Sequence, residues 1–438
     1  MNYSKFSRWI SNQIKVSKRL KPVITIYLIF LMASSRTHTL TAAARFSGSS
    51  KSRFHYFLNN NADKAVYTLG ELSKKQARQF FKINKGLSTG KLPWNIAILI
   101  DATFLNRSSL HTDNSKRFNH GKGFVVGHQW TNIVLLINDK VIPLPPIAFY
   151  TKKYCKQNGI EYQTENTQVA QYLSQLSLED YIGAHDPEKV VVLADSGYDD
   201  QKIQKAIAAK HWKFIIALKS TRGVKTQKAY LNTKKTEDWN SVTVTFKNNR
   251  KIGWKTIRAP KNGGKNKWME FRVRQITGYL KNFGKAQLIC SQFKTKSKNG
   301  KRKHLACNDL KATPRQIIIG YRLRWAIEIF HKEIKMFLGF EDVSAKYFSS
   351  VISHVHWVYC AYILLNSSPP GFAFGVKSMA QKQLMVNKII ENKGLSAVNQ
   401  LLTQAKGTQR LKTHIQKALN YSSSSKLLVL CGLPVLYL

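Results

Sequence analysis

Acidic residues are scarce in this chain. Its 438 residues include 23 Asp and Glu against 70 Lys and Arg, which gives a formal net charge of +47 at pH 7. So large an excess of one sign repels itself unless a polyanion neutralises it. Lys and Arg that neutralise phosphates release the condensed counterions of a nucleic acid, and this release drives binding. The charge therefore predicts a nucleic-acid partner, with an anionic membrane surface as the alternative.

Cysteine is also scarce, and its spacing excludes two classes of protein. The five cysteines are odd in number and scattered, and none belongs to a CxxC pair. Neither a disulfide framework nor a zinc cage is indicated by such a pattern. We therefore expect a cytoplasmic protein, associated with the nucleoid through its charge.

The apolar runs near the two ends of the chain are too short to cross a membrane. Pro22 to Ala33 and Leu427 to Leu438 have about a dozen residues each, whereas a spanning helix needs about 20. The first run follows a basic segment, as in a signal peptide, but it also fits the core helix of a small helical domain, which we favour. With 43% hydrophobic residues, the chain is too apolar for a disordered basic tail. We expect a globular protein without a membrane partner.

The first 85 residues have the pattern of short helices broken by polar turns. Thr39 to Phe46 and Lys51 to Leu58 are helix-like, and the Gly/Ser turn from Ser47 to Ser50 separates them. A helix, a short turn and a second helix with basic and small polar residues form the outline of a helix-turn-helix. A helical hairpin without DNA contacts fits the pattern equally well.

Two short apolar segments end in an aspartate. Trp94 to Asp101 (WNIAILID) and Lys189 to Asp195 (KVVVLAD) are typical of buried strands. Strands come first in succession and then alternate with helices, which predicts a mixed α/β sheet flanked by helices. The other predicted strands are Gly123 to Val126, His128 to Ile137, Val141 to Tyr150 and Trp212 to Lys219, and the predicted helices are Thr164 to Tyr181 and Asp199 to His211.

An all-β insertion is predicted for residues 232 to 294. Basic loops separate its predicted strands, and the stretch from Thr295 to His304 (TKSKNGKRKH) is expected to be a mobile loop that lies on phosphates, or else a solvated charge run. Thr313 then has the residue type of a helix N-cap, and Pro314 has that of the first helical position, so a helix is predicted to begin here. The predicted strands of the insertion are Ser241 to Phe246, Lys251 to Ala259, Met269 to Leu280 and Ala286 to Phe293.

The stretch YRLRWAIEIFHKEIK carries four polar residues at helical spacing. Tyr321, Arg324, Glu328 and Lys335 are three, four and seven residues apart, which predicts that they share one side of an α-helix. The remaining arc is apolar and can pack in a core. The alternative is an ordinary amphipathic helix whose Arg324–Glu328 pair lies in solvent and contributes about 0.2 to 0.5 kcal/mol.

Three acids stand where metal chemistry would need them. Asp101 and Asp195 end predicted strands, and Glu328 lies on the helix after the insertion. Carboxylates gathered at strand ends repel unless divalent cations hold them, and Mg²⁺ or Mn²⁺ prefers such oxygen ligands. Two such ions can activate an attacking water or 3′-hydroxyl and stabilise the departing oxygen of a phosphodiester. Taken singly, each aspartate fits a strand-end turn or a helix cap better.

From about residue 35 to residue 365 the chain resembles insertion-element transposases of the DDE class. Their signature is Tyr, two residues, Arg, three residues, Glu, six residues and Lys, and the stretch that begins at Tyr321 and ends at Lys335 matches it without a gap. The first acid, in IDATFL, and the second, in LADSGYDD, also match. The resemblance implies a ribonuclease-H-like catalytic core.

The resemblance also implies the catalytic residues and the reaction. Asp101, Asp195 and Glu328 correspond to the metal-binding triad, with Mg²⁺ as the cofactor and Mn²⁺ as a substitute. Related enzymes bind the terminal inverted repeats of their element, cleave DNA at its ends and transfer the 3′-hydroxyl ends to target DNA. Double-stranded DNA is then the partner, and a homodimer in a synaptic complex is the expected assembly.

Residues around the glutamate are implied to contact DNA. Tyr321, Arg324 and Lys335 correspond to residues that grip phosphates of the element end. Trp325 corresponds to an aromatic residue beside the DNA end, with core packing as its alternative role.

Three other functions remain open from the sequence. They are a nuclease of the same core without strand transfer, an inactive or repurposed DNA-binding derivative, and a basic membrane-surface protein. The expected domains are a helical DNA-end-binding domain (1–85), the first part of the core (86–231), a β-rich insertion (232–294), the last part of the core with the Glu helix (295–366), and a helical C-terminal region that is a candidate for dimerisation (367–438).

Overall fold

The computed structural model describes residues 2–33, 37–83, 87, 92–107, 110–121, 123–137, 139–232, 239–249, 252–260, 268–294, 299–367, 369 and 377–404. The apolar run at the C-terminus lies outside these residues, as does most of the predicted C-terminal helical region. The helices are α1 (Tyr3–Gln13), α2 (Lys21–Ala33), α3 (Leu40–Ser47), α4 (Lys51–Asn60), α5 (Ala62–Ile83), α6 (Lys152–Asn158), α7 (Glu165–Gln175), α8 (Glu179–Ile182), α9 (Gln201–Ala209), α10 (Gln227–Asn232), α11 (Val242–Asn248), α12 (Pro314–Arg322), α13 (Trp325–Phe337), α14 (Phe348–Asn366) and α15 (Met379–Gln404).

The described strands belong to one mixed sheet, in the order β2-β3-β1-β6-β7-β13-β12-β11-β8-β9, with β4 and β5 paired to β3 and β10 paired to β11. The prediction of a mixed sheet flanked by helices is confirmed. The strands are β1 (Ile96–Asn106), β2 (Lys116–His120), β3 (Gly123–Ile137), β4 (Lys140–Pro143), β5 (Ile147–Ala148), β6 (Val190–Ala194), β7 (Lys213–Ala217), β8 (Gly223–Thr226), β9 (Asn240–Ser241), β10 (Lys255–Pro260), β11 (Trp268–Leu280), β12 (Gly284–Lys294) and β13 (Asn299–Cys307).

Alternate residues of the central strands face two separate hydrophobic cores. On β1, Ala97 and Leu99 join the first core, which also holds Ile327 and Phe330 of α13. Ile98 and its neighbours of the same parity join the second core, on the other side of the sheet. Because side chains alternate along a strand, every second residue reaches the same face of the sheet. This alternation decides on which face each polar side chain lies.

Two apolar helices form the centre of the helical part. The short helix α2 is buried along nearly its whole length, which confirms the prediction of a core helix for Pro22 to Ala33. In the described part of the chain α14 has the length and hydropathy of a membrane span, and 89% of that stretch is buried inside the protein. Both helices therefore belong to the first core, where α14 packs against α2, α4 and α5.

The two predicted helices and the short turn between them are confirmed as α3 and α4. Gly48 closes α3 with φ of 66°, a left-handed conformation that glycine adopts without steric cost. Ser50 then caps α4, since its side chain accepts a hydrogen bond from the Arg53 N–H. The turn is therefore encoded by local capping residues.

The insertion extends the central sheet, because β13 pairs with β7 on one side and with β12 on the other. Two predictions in this region are wrong. Residues 242 to 248 form the helix α11, in which Val242, Thr245 and Phe246 share the buried face. Residues 299 to 304 belong to β13, because pairing with β12 outweighs the local charge run; residues 295–298 lie outside the described ones.

The stretch from Thr313 to Lys335 forms two helices, so the prediction that Tyr321 shares one α-helix with Glu328 and Lys335 is wrong. Thr313 and Pro314 begin α12 with a capping box, as the sequence indicated. At Leu323 and Arg324 the hydrogen bonds tighten to a three-residue spacing, with Leu323 N–H donating to Gly320 and Arg324 N–H to Tyr321. The break lets α12 pack on β7 and β10 while α13 packs on β1.

Candidate active site

The sheet register places Asp101 and Asp195 side by side. Parallel pairing of β1 with β6 ends at Ile100 opposite Ala194, so Asp101 is the next residue of β1 and Asp195 is the first residue after β6. Asp101 and Asp195 each lie two residues after a leucine, Leu99 and Leu193, that faces the first core and α13. The aspartates therefore lie on that same face of the sheet. One expectation is corrected, because β1 continues past Asp101 to Asn106 through its pairing with β3. The acids meet where the parallel pairing ends.

Asp195 also has the turn role that its sequence context indicated. Its Oδ1 accepts the Gly197 N–H at 2.7 Å and caps the 3₁₀ turn Ser196–Tyr198. Among the described residues no hydrogen-bond donor to its Oδ2 is found. The turn therefore orients one oxygen and leaves the second for the site.

Arg324 lies between the other two acids. Its Nη1 is 3.2 Å from Oδ2 of Asp101, and its Nη2 donates to Oε1 of Glu328. The three side chains are mostly buried, at 14% exposed for Arg324, 19% for Asp101 and 29% for Glu328. The Arg324–Glu328 pair is thus part of a half-buried cluster, so the alternative of an i,i+4 pair in open solvent does not hold.

Burial and the neighbouring charges change the pKa of Asp101. Burial raises the pKa of the Asp101 carboxyl to about 6; Arg324 opposes this rise, and the neighbouring carboxylates of Asp195 and Glu328 add to it. A carboxylate held beside two others is costly to ionise in the absence of a compensating cation. The cluster therefore has the charge of a cation-binding site.

The donor chemistry fits hard divalent ions, although the present geometry does not yet form a complete ligand set. Carboxylate oxygens are the ligands that Mg²⁺ and Mn²⁺ prefer. Within the described part of the chain no three carboxylate, histidine or cysteine groups are arranged around one point. Asp101 and Glu328 hold the guanidinium of Arg324 instead. Asp101, Asp195 and Glu328 are the carboxylates that would hold such an ion.

Tyr321 and an unpredicted lysine cover this cluster. Lys303 lies two residues before Leu305 on β13, and Leu305 faces the first core, so Lys303 lies on that face of the sheet. Its Nζ is 4.8 Å from the centre of the Tyr321 ring. Burial and then Arg324 lower the pKa of Lys303, while Asp195 and Glu328 oppose that effect. Burial raises the pKa of the Tyr321 hydroxyl to about 12. Lys303 was part of a predicted loop, so only the pairing of β13 brings it here.

Trp325 and Lys335 lie at opposite ends of α13. Trp325 is 55% exposed, so core packing is not its role in this structure. Nζ of Lys335 donates to the Phe104 carbonyl at 2.7 Å and to Oε1 of Glu341 at 3.0 Å. Lys335 thus ties α13 to the end of β1 in this conformation.

The sequence analysis missed His331, although this residue lies three positions after Glu328 and therefore on the same face of α13. The Tyr359 hydroxyl donates to Oδ1 of Asn132, so the amide Nδ2 of Asn132 donates to Nε2 of His331, at 2.7 Å. Burial, followed by the charges of Lys335 and Arg324, lowers the pKa of His331 to about 3. The neutral ring therefore carries its proton on Nδ1, which lies 4.0 Å from Oδ2 of Asp101.

Glu165 is a second residue that the sequence analysis missed. It begins α7, and its carboxylate accepts hydrogen bonds from Gln129 at 2.7 Å, Thr131 at 2.7 Å and Tyr198 at 2.8 Å. Tyr198 follows Asp195 in its turn and packs in the second core. Glu165 therefore fixes the turn of Asp195 from the sheet face opposite α13.

A mixed sheet whose adjacent parallel strands lead to two aspartates, with a helix that adds a glutamate, defines the class of ribonuclease-H-like enzymes that act on nucleic acids. Residues 95–364 match the family described as Transposase DDE domain. The match covers more than half of the chain, so the chain belongs to this family of DDE-class transposases, as the resemblance implied. A comparison with curated proteins found no match. DNA is the partner of this family, and its members generally depend on a divalent metal.

Proposed function

We propose that this protein is a metal-dependent DNA transposase that binds terminal inverted repeats, cleaves DNA at the element ends and transfers the 3′-hydroxyl ends to target DNA. The observation that carries the proposal is that Asp101 and Asp195 follow adjacent parallel strands, while Arg324 joins Asp101 to Glu328 of the Glu helix. These acids are the proposed catalytic and metal-binding residues. A divalent metal, Mg²⁺ with Mn²⁺ as a substitute, would polarise the phosphodiester and activate the attacking oxygen.

The chain's own residues have distinct proposed roles around that chemistry. Arg324 grips a phosphate of the element end and withdraws from Asp101 and Glu328 as it does so. Lys303 lies beside it and can neutralise the same backbone. Tyr321 supports Arg324 and Lys303, because its buried ring lies below the ammonium group.

Two further DNA contacts are proposed on α13. The exposed ring of Trp325 is available to stack beside a base of the DNA end. Lys335 would bind a phosphate by exchanging its partner Glu341 for it. Since Lys335 also supports the end of β1, its substitution should weaken both the fold and DNA binding.

The exposed face of α4 is the proposed reader of the terminal repeat. Lys51, Arg53 and Tyr56 are exposed on this helix, and α3 and α4 carry no acidic residue. A second helix of a helix-turn-helix that presents cations and an aromatic ring suits the major groove. We propose that two copies of the chain act as a homodimer in a synaptic complex at the nucleoid.

The test is Mg²⁺-dependent cleavage of DNA that carries the ends of the element encoding this chain. Wild type should cut at the element boundary, and with pre-cut ends it should join them to target DNA. Glu328→Ala should lose cleavage and retain most of its end binding, because a lost carboxylate disrupts the metal site more than the phosphate contacts. Glu161→Ala, which removes an exposed carboxylate outside the cluster, is the control. Hydrolysis without joined product would refute strand transfer, and equal cleavage by Glu328→Ala would refute the assignment of the triad.

A further inference from the structure

A cavity of about 600 Å³ opens beside the acids. Asp101 and Asp195 line it, together with residues of the edge strand β2 and the start of α7, whereas Arg324 and Glu328 do not. Tyr198, another lining residue, packs in the core on the sheet face opposite α13. The lining therefore includes both aspartates but no residue of the Glu helix.

The rim of this cavity carries two exposed cations. Lys116 and Arg117 lie on β2, and among the described residues neither has a carboxylate within salt-bridge distance. Aromatic rings hold them instead: Nζ of Lys116 is 5.5 Å from the ring centre of Phe118, and the Arg117 guanidinium is 3.5 Å from that of Phe124. Such cation–π contacts orient a cation without neutralising its charge. The rim therefore keeps its capacity for anions.

Three acids line the cavity, the two site aspartates and Glu165. Glu165 accepts three hydrogen bonds from protein donors, which disperse its charge and fix its position. Asn119, two residues after Arg117 on β2, is exposed and offers an amide donor. The cavity thus combines a floor of site aspartates with a rim of two cations and an amide, a combination that suits a phosphodiester strand.

We propose that this cavity binds a strand of the second DNA, the target, while Arg324 and Lys303 hold the element end on the opposite side of the aspartates. The proposal rests on the proposed transposase function. A joining reaction needs two DNA molecules at one set of acids, and the sheet presents these acids to two separate basic surfaces. Lys116, Arg117 and Asn119 are the residues assigned to the target.

The first experiment measures two affinities for Lys116→Gln/Arg117→Gln. One is the affinity of the free protein for an element-end duplex, and the other is the affinity of the end-bound complex for a labelled target duplex, both in Mg²⁺. We expect target affinity to fall about tenfold and its salt slope to decrease by about 2, with end affinity changed less than about twofold. Lys189→Gln/Lys205→Gln, which removes two exposed charges outside the cavity, is the matched control.

Every other outcome decides against the proposal. Unchanged target affinity would overturn it, and so would an equal loss in the control variant. A loss confined to the element end would assign the cavity to that end and not to a target.

A second experiment does not depend on element ends. Asn119→Cys, labelled with a photoactivated aryl azide, should cross-link to a nonspecific duplex, and the Lys116→Gln/Arg117→Gln background should reduce the yield about tenfold. The absence of a cross-link would overturn the cavity proposal. A cross-link from a protein that does not bind element ends would instead support the cavity and refute the proposed function.

Discussion

Arg324 is the residue at which the DNA contact and the metal site compete. Its guanidinium binds Asp101 and Glu328, which are two of the three proposed metal ligands. A cationic side chain and a divalent ion cannot share the same carboxylate oxygens without strong repulsion. In this structure the guanidinium of Arg324 stabilises the negative charges of Asp101 and Glu328.

Arg324→Gln should accordingly strengthen metal binding and weaken DNA binding. We expect the DNA-free variant to bind Mn²⁺ more tightly than wild type by isothermal titration calorimetry, because the competing charge is gone. Its affinity for element ends should fall, with a salt slope smaller by about 1. Arg322→Gln, at the adjacent position, is the control, since Arg322 contacts the Pro260 carbonyl and not the acids. Equal Mn²⁺ affinity in wild type and Arg324→Gln would contradict the competition.

His331 acts on the site through Asp101 and is a positioning residue. His331→Leu removes the N–H that faces Asp101 and should weaken Mn²⁺ binding by about tenfold, the lower end of what the loss of a residue behind a metal ligand costs. His331→Gln can still donate a hydrogen bond and should recover part of that affinity. The measurement is Mn²⁺ titration in the presence of end DNA, with chemical unfolding run in parallel. A loss of stability without any change in metal affinity would reduce His331 to a structural role.

At the scale of elements, the end of the Glu helix is held by the N-terminal part of the chain. Gly339 follows α13 with φ of 65°, and a Cβ there would come within 2.2 Å of the His38 Cβ. Its carbonyl accepts a hydrogen bond from His354 at 2.9 Å, while the His38 N–H donates to Asp342 at 2.7 Å. The position of α13 therefore depends on contacts far away in sequence.

Gly339→Ala should destabilise the protein by more than about 2 kcal/mol, because it adds a steric clash to an unfavourable φ. Gly159→Ala isolates the second effect: Gly159 has φ of 64° and open space around its Cβ position, so we expect a cost of about 1 kcal/mol. The comparison is made by urea unfolding of both variants. Equal losses would show that the contact with His38 relaxes at no cost.

At the scale of the whole molecule, four histidines whose pKa is strongly lowered make the fold sensitive to acid. In each case burial is the main cause that lowers the pKa, to about 4 for His128, about 3 for His331 and about 4 for His354 and His356. The unfolded chain binds their protons near pH 6.5, so stability is complete above that value and is lost as the pH falls towards 4. Asp101 acts in the opposite direction, since its raised pKa removes stability as the pH rises from about 4 to about 6.

The free energy of unfolding should therefore fall steeply below pH 6. Protonation of four histidines changes the free energy of unfolding by about 5 kcal/mol per pH unit at the steepest point. The titration of Asp101 reduces this slope by about the contribution of one proton. Urea unfolding at pH 7, 6 and 5 gives the slope, and His356→Gln should reduce it by about one proton. A stability that does not change between pH 7 and pH 5 would contradict the assignment of neutral, buried histidines.

Much of the molecule could be predicted from local patterns, because they reflect local physics. The strands before Asp101 and Asp195 follow from short apolar runs, and the start of α12 at Thr313 follows from its capping residues. The spacing of Arg324 and Glu328 was enough to place them together. The family follows from the same residues, and the match over residues 95–364 confirms it.

Other features depended on long-range pairing and could not be predicted locally. A charge run became part of β13 because β7 and β12 flank it, and this pairing carried Lys303 to the acids. An alternating segment became α11 because its buried face packs against β8 and β9.

The sequence by itself determined the chemistry: an excess of cations for DNA, and the three acids and the arginine beside them. The tertiary structure decided their geometry, including the break before α13, the histidine behind Asp101 and the cavity beside the two aspartates. The reason is physical. Residue types and short spacings set charge and local conformation, whereas strand register and helix packing, which join residues far apart in sequence, set which side chains meet.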